Sequence, residues 1–261
     1  MDHWHCECMG SGDGPTILLL HGFMGSGEDW RPLEGLLGNR FSLLAPDLPG
    51  HGRTRIESGD AAYAMPEVAR SIIGLLDYLN IETCPLVGYS MGGRVALFLA
   101  LRYPGRFSRV VLESASPGLE TAQERAERVK RDEERARELE TGDLAAFLDA
   151  WYAQPIFGSL RTHPAFDGLL QARLQNDPGM LATSLRRMGT GVQPSLWGEL
   201  PGMKIPLLVL AGERDEKFRI IADRMAKRCP SARMAVIPGC GHSIHVEQPE
   251  AFASLVKDFV G

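Results

Sequence analysis

The segment running from Cys84 through Gly88, Tyr89, Ser90, Met91 and Gly92 constrains this chain more than any other. A short apolar run, 84–87, enters a turn in which glycines stand two residues either side of a serine, and a helical pattern leaves it at Gly93. Small residues at both ends allow strand and helix to approach closely, lifting the Ser90 hydroxyl above a sheet edge at a helix N-terminus. There the helix dipole and free backbone N–H groups favour developing negative charge. Such a turn belongs to a strand that passes into a crossover helix, and therefore to an α/β fold.

The rest of the chain agrees. Apolar runs at 16–20, 41–45, 84–88, 109–113, 205–211 and 233–237 end in turn residues and alternate with helix-length stretches at 30–37, 66–79, 92–103, 217–228 and 249–260. Most of these runs are continuously hydrophobic, as strands covered on both faces require, so the pattern predicts a mostly parallel, doubly wound sheet. Alternation stops between Pro117 and Met203. In that region 119–140 holds fourteen charged residues in twenty-two, with Leu119, Ala122, Ala126, Val129 and Ala136 at helical spacing. An amphipathic helix with that apolar face is expected, inside an all-helical lid insertion, 117–203, on a core formed by 1–116 and 204–261. An insertion between two strands is well placed to cover their carboxyl ends, where open α/β sheets bind ligands.

A length of 261 residues suits one large domain. Lys and Arg total 28 against 33 Asp and Glu, for a formal charge of −5, so the molecule as a whole does not attract polyanions and no nucleic-acid partner is expected. The five cysteines are odd in number and scattered, which fits reduced thiols. Residues 1–10 lack the basic start and apolar core of an export signal, and no apolar stretch approaches the ~18 residues of a membrane span. The expectation is a cytoplasmic protein without membrane contact, with no metal and no organic cofactor.

A serine hydroxyl alone is a poor nucleophile or base. It needs an imidazole in reach, and the imidazole needs a carboxylate to fix its tautomer. His242 lies in the loop Gly239-Cys240-Gly241-His242 after the last strand, at the edge where Ser90 sits; His245 is its nearest competitor. Asp215 follows the run 205–211 at another carboxyl end, with Glu213 and Asp223 as alternatives. The order Ser90, Asp215, His242 is that of α/β-hydrolase triads. The first strand empties into His21-Gly22-Phe23-Met24-Gly25, so the N–H of Phe23 can join that of Met91 as a donor pair for an oxyanion. Asp47, Pro49, Gly50, His51 and Gly52 read as a loop-shaping turn, with His51 structural.

With HGF at 21–23, DLPGHG at 47–52, GYSMGG at 88–93 and GCGH at 239–242, the chain resembles the α/β-hydrolase superfamily over nearly its whole length. Reaction type does not follow from that fold. Arg94, on the first turn of the elbow helix, is costly beside an apolar pocket unless it meets an anion. Arg125, Arg128 and Arg173 in the insertion would join it around a polycarboxylate. PGLE at 117–120, ERAER at 124–128, the aromatic cluster from Trp151 to Phe157, and DEKF at 215–218 extend the likeness into the insertion. There the chain is similar to the MenH-type 2-succinyl-6-hydroxy-2,4-cyclohexadiene-1-carboxylate synthases of menaquinone and phylloquinone biosynthesis.

That resemblance implies a lyase that eliminates pyruvate from a small tricarboxylate. It implies Ser90, Asp215 and His242 as the triad, and Arg94, Arg128 and Arg173 as carboxylate binders, with Arg125 competing for the place of Arg128. Trp151 is implied as a pocket wall. A hydrolase of esters or of carbon–carbon bonds in dicarbonyl compounds is the rival reading.

Overall fold

The computed structural model describes residues 2–10 and 14–261; Met1, where the expected core begins, lies outside them. Among the described residues seven strands form one sheet: β1 (Cys6–Met9), β2 (Thr16–Leu20), β3 (Ser42–Pro46), β4 (Cys84–Tyr89), β5 (Phe107–Glu113), β6 (Leu207–Gly212) and β7 (Ala232–Ile237). Their order is β1-β3-β2-β4-β5-β6-β7. β1 runs antiparallel to β3, and every other neighbouring pair is parallel. The six apolar runs all become strands. β1 is additional: its sequence, Cys6-Glu7-Cys8-Met9, is too short and too polar to stand out, because an edge strand needs only one well-covered face.

The helices are α1 (Glu34–Leu37), α2 (Met65–Tyr78), α3 (Met91–Arg102), α4 (Ala122–Thr141), α5 (Leu144–Tyr152), α6 (Phe166–Arg173), α7 (Pro178–Met188), α8 (Glu216–Arg228), α9 (Ile244–Glu247) and α10 (Pro249–Val260). The helix expected over 30–37 is largely a 3₁₀ segment, Gly27–Leu33, and α1 keeps only its last turn. Pro32 explains the difference, since it has no N–H to donate and its ring crowds the carbonyl one turn earlier.

Helices cover both faces of the sheet. On one side α2, α3 and α8 bury Ile72, Val95, Leu99 and Met225 against Leu18, Leu86 and Leu112. On the other, Trp30 and Phe252 pack with Ile17, Leu19, Val87 and Val111. Adjacent residues of β2 and β4 therefore point into different apolar layers, which accounts for their unbroken hydrophobicity.

Between β5 and β6 the chain makes α4 to α7 and no strand. The Thr121 hydroxyl accepts from Glu124 N (3.1 Å) while the Glu124 carboxylate accepts from Thr121 N (2.8 Å), closing a capping box at the start of α4. The buried stripe of α4 departs from the expected one: Asp132, Ala136 and Leu139 are buried, whereas Ala122, Ala126 and Val129 are exposed. The helix meets α7 along this narrow seam, and Arg186 of α7 pairs with Glu133 and Glu140 across it. A separate apolar cluster, including Leu139, Phe147, Leu148, Tyr152 and Leu181, is continuous with Met24 in the loop after β2. The helices are thus anchored over the edge where β2, β4, β6 and β7 end.

Candidate active site

The turn after β4 is strained and tightly packed. Ser90 has φ 50° and ψ −106°, a conformation rare outside glycine, and its N–H donates to the Glu113 carbonyl at 2.8 Å. A Cβ on Gly92 would lie 2.2 Å from the Leu20 carbonyl oxygen, and one on Gly88 would lie 2.5 Å from that of Gly92. Neighbouring backbone therefore enforces glycine at both positions, which fixes the serine between them.

Three chain segments meet at Ser90. The Nδ1–H of His242 donates to Asp215 Oδ2 at 2.6 Å, and His242 Nε2 faces the Ser90 hydroxyl at 3.1 Å. With Nδ1 committed to a carboxylate, Nε2 is the free acceptor for the serine proton. Asp215 also caps α8, its Oδ1 accepting from Phe218 N at 3.1 Å, so one carboxylate fixes both a helix start and the imidazole. Phe218 lies against the His242 ring, with centroids 4.6 Å apart. Asp215 and His242 are buried.

The competing residues have other partners. His245 Nδ1 bonds the buried Glu113 carboxylate at 2.9 Å, Glu213 accepts from Gly239 N at 3.0 Å, and Asp223 pairs with Lys227 on the exposed side of α8. His51 is buried beside Phe23, with its ring against Pro49 O, while Asp47 holds Gly27 N and Arg53 N at 2.7 Å. These contacts suit a turn that shapes the loop next to it.

Phe23 and Met91 both line the cavity above Ser90. Met91 opens α3, so its N–H has no acceptor within the helix. The path of the Phe23 loop is set by His21: Leu48 N donates to His21 Nε2 at 2.9 Å, which leaves Nδ1–H to donate to Gly22 O at 2.8 Å. Gly22 lies against Tyr89, where a Cβ would come within 2.5 Å of the ring.

The cavity has a volume of about 240 Å³ and is bounded by Ser90, His242, Arg94, Arg128 and Trp151. Arg94 is 9% exposed and its Nη1 donates only to neutral oxygens, Met188 O and Gln193 Oε1, each at 2.9 Å. Burial pushes its pKa down to about 10; the charge of Arg128 adds to this and the nearby Asp132 carboxylate opposes it. Arg128 binds Asp132 Oδ1 through Nε at 2.7 Å and also reaches the cavity, whereas Arg125 turns back to the carbonyls of Leu119 and Glu120. Trp151 packs on Phe23, with centroids 5.1 Å apart.

The Arg173 guanidinium makes a bidentate pair with Asp29 at 2.8 and 2.7 Å and borders a smaller cavity of about 30 Å³ that Ser90, Phe23 and Trp151 also line. Burial raises the Asp29 carboxyl, and the Arg173 charge more than reverses the effect, leaving Asp29 below its ordinary range.

Residues 17–255 match the model of the alpha/beta hydrolase family. The chain belongs to that family. This α/β hydrolase is 37% identical over 244 residues to the 2-succinyl-6-hydroxy-2,4-cyclohexadiene-1-carboxylate synthase of Escherichia coli O1:K1, covering 93% of each chain. A Bacillus subtilis protein provisionally given the same name is 38% identical over 255 residues, 95% of this chain and 92% of the relative. The solved structure of MenH from S. aureus superposes with a TM-score of 0.93 at 32% identity, covering 99% of this chain and 98% of the other.

The hydrolase-fold cavity also holds cations that the sequence reading did not single out. Arg135 lies over the Trp151 ring, 4.9 Å from its centroid, and Lys217 reaches the cavity from the start of α8. A signal for each was present, since Arg135 stands two helical turns after Arg128 and Lys217 lies within DEKF. Asp29 carried none: only folding brings it to Arg173, 144 residues away.

Proposed function

We infer that this enzyme is a carbon–oxygen lyase, a 2-succinyl-6-hydroxy-2,4-cyclohexadiene-1-carboxylate synthase of menaquinone or phylloquinone biosynthesis. It releases pyruvate from 2-succinyl-5-enolpyruvyl-6-hydroxy-3-cyclohexene-1-carboxylate. The observation that carries this reading is Arg94: a buried guanidinium beside the Ser90–His242–Asp215 relay, held only by neutral oxygens. Burying a cation whose hydrogen-bond partners are all neutral is costly; Asp132 offsets it only without a direct contact and is itself bound to Arg128, so an anionic substrate supplies further compensation. Full-length similarity to named synthases supports the same choice.

In the proposed reaction Ser90 acts as a base. His242, oriented by Asp215, accepts the serine proton as the Ser90 oxygen takes the proton from the ring carbon next to the succinyl ketone. The electron pair moves onto the ketone oxygen, where the N–H groups of Phe23 and Met91 stabilise it. Collapse of this enolate forms the conjugated diene and breaks the bond to the enolpyruvyl oxygen. His242 returns a proton to the leaving group, which tautomerises to pyruvate.

Arg94 and Arg128 hold substrate carboxylates in this reading, and Trp151 walls the pocket. Arg173, already neutralised by Asp29, is the weaker candidate binder. Residues 117–203 act as a lid on the core of 1–116 and 204–261. Among the described residues no helix is long and apolar enough to cross a membrane, and the five cysteines are free thiols, which supports the proposed cytoplasmic location. Incubation with the enolpyruvyl substrate and, separately, with aryl esters tests the assignment. Pyruvate release is expected with little ester turnover; rapid ester hydrolysis without pyruvate would reject it.

A further inference from the structure

Among the described residues, two of the buried side-chain oxygens that lack a protein partner border the main cavity: Ser114 Oγ and Ser184 Oγ. Both residues are 1% exposed. A buried hydroxyl without a partner opposes folding, whereas alanine or glycine would remove that penalty. Ser114 carries a second cost, because its φ of 47° lies in the left-handed region.

Their positions give these hydroxyls a chemical setting. Ser114 directly follows β5, whose Glu113 pairs with Tyr89 and accepts the N–H of Ser90, so it stands next to the elbow. Ser184 lies one turn before Met188 on α7, and the Met188 carbonyl accepts from Arg94. Residues four apart share a helix face, and Ser184 and Met188 both line the cavity that Arg94 borders. The two cavity-lining carboxylates on the α4 approach are otherwise occupied: Glu120 pairs with Arg224 and Glu124 closes the Thr121 cap.

We propose that Ser114 and Ser184 are further substrate-binding residues, hydroxyl donors that flank Ser90 and Arg94 and hydrogen-bond a carboxylate of the anionic substrate. This rests on the polycarboxylate reading above and deepens it. Arg94 provides the charge, and the two hydroxyls provide direction, since each donates along one axis to an oxygen held by the cation.

The test measures steady-state pyruvate release and thermal unfolding for wild type, Ser184→Ala and Ser114→Gly. Glycine is chosen at 114 because it tolerates the positive φ. Each variant should raise KM roughly ten- to hundred-fold with kcat little changed, as expected for loss of a hydrogen bond to a charged group present throughout the reaction. Unfolding midpoints should stay level or rise, which separates a binding role from damage to the fold. A wild type that releases pyruvate, beside variants with unaltered KM, overturns this proposal alone. A wild type that releases none overturns the reading beneath it as well.

Discussion

His242 Nε2 lies 3.1 Å from the Ser90 hydroxyl although 152 residues separate them in the chain. Parallel strands make this possible, because β4 and β7 end at the same sheet edge and the loop after each delivers one partner. The strain at Ser90, φ 50°, is held by glycine packing and by the Glu113 carbonyl, so the hydroxyl is fixed before substrate arrives.

Ser90→Ala should lower kcat for pyruvate release by roughly 10²- to 10⁴-fold, the range associated with a positioned proton-transfer group. Alanine inherits the same backbone strain and loses only an oxygen that faces the cavity, so the circular dichroism spectrum and the unfolding midpoint should match wild type. A variant retaining more than a tenth of the rate would remove the serine from the mechanism.

Arg94→Met should reduce kcat/KM by roughly ten- to hundred-fold, equivalent to about 1.5–3 kcal/mol for a hydrogen bond to a charged group. Its stability should not fall in proportion, because no carboxylate hydrogen-bonds the guanidinium in the protein. Near-normal kcat/KM would remove the main physical support for an anionic substrate.

The Asp29–Arg173 pair predicts non-additive stability. Asp29→Asn and Arg173→Met should each cost about 3–5 kcal/mol, since either strands a buried charge or its partner, while the double variant should cost much less than their sum. Urea unfolding of the four proteins measures the coupling. Additive losses would show that the bidentate contact carries little energy.

His51 predicts a pH dependence of stability. Burial, with His21 adding to it, pushes its pKa down to about 3 from an ordinary value of 6.5. Between those values the unfolded chain binds a proton that the folded protein does not, so stability falls as the pH drops below about 6, by about 1.4 kcal/mol per unit from this group. His51→Leu should flatten the slope of urea midpoint against pH between 6.5 and 4.5. Parallel slopes in the two proteins would place His51 outside this linkage.

Much of this was readable from the sequence because its determinants are local. Glycine spacing around Ser90, unbroken apolar runs and turn residues after β6 and β7 each act over a few positions. They mark the elbow and the places where Asp215 and His242 emerge. The apolar face of α4 was not readable, since its buried stripe depends on where α7 lies, and a partner helix leaves no periodic trace in a segment so rich in charge. Arg173 shows the same limit: a lone arginine gives no sign that Asp29, in a distant 3₁₀ segment, will neutralise it. β1 escaped because four mixed residues at an edge need little hydrophobicity.

The most direct test of proton abstraction by Ser90 is a single-turnover measurement with deuterium on the ring carbon adjacent to the succinyl ketone. Pyruvate formation in the wild type should slow several-fold relative to the protonated substrate, by roughly the factor expected when a carbon–hydrogen bond breaks in the step that sets ΔG‡. Equal rates for the two isotopologues, together with an acyl group trapped on Ser90, would contradict it.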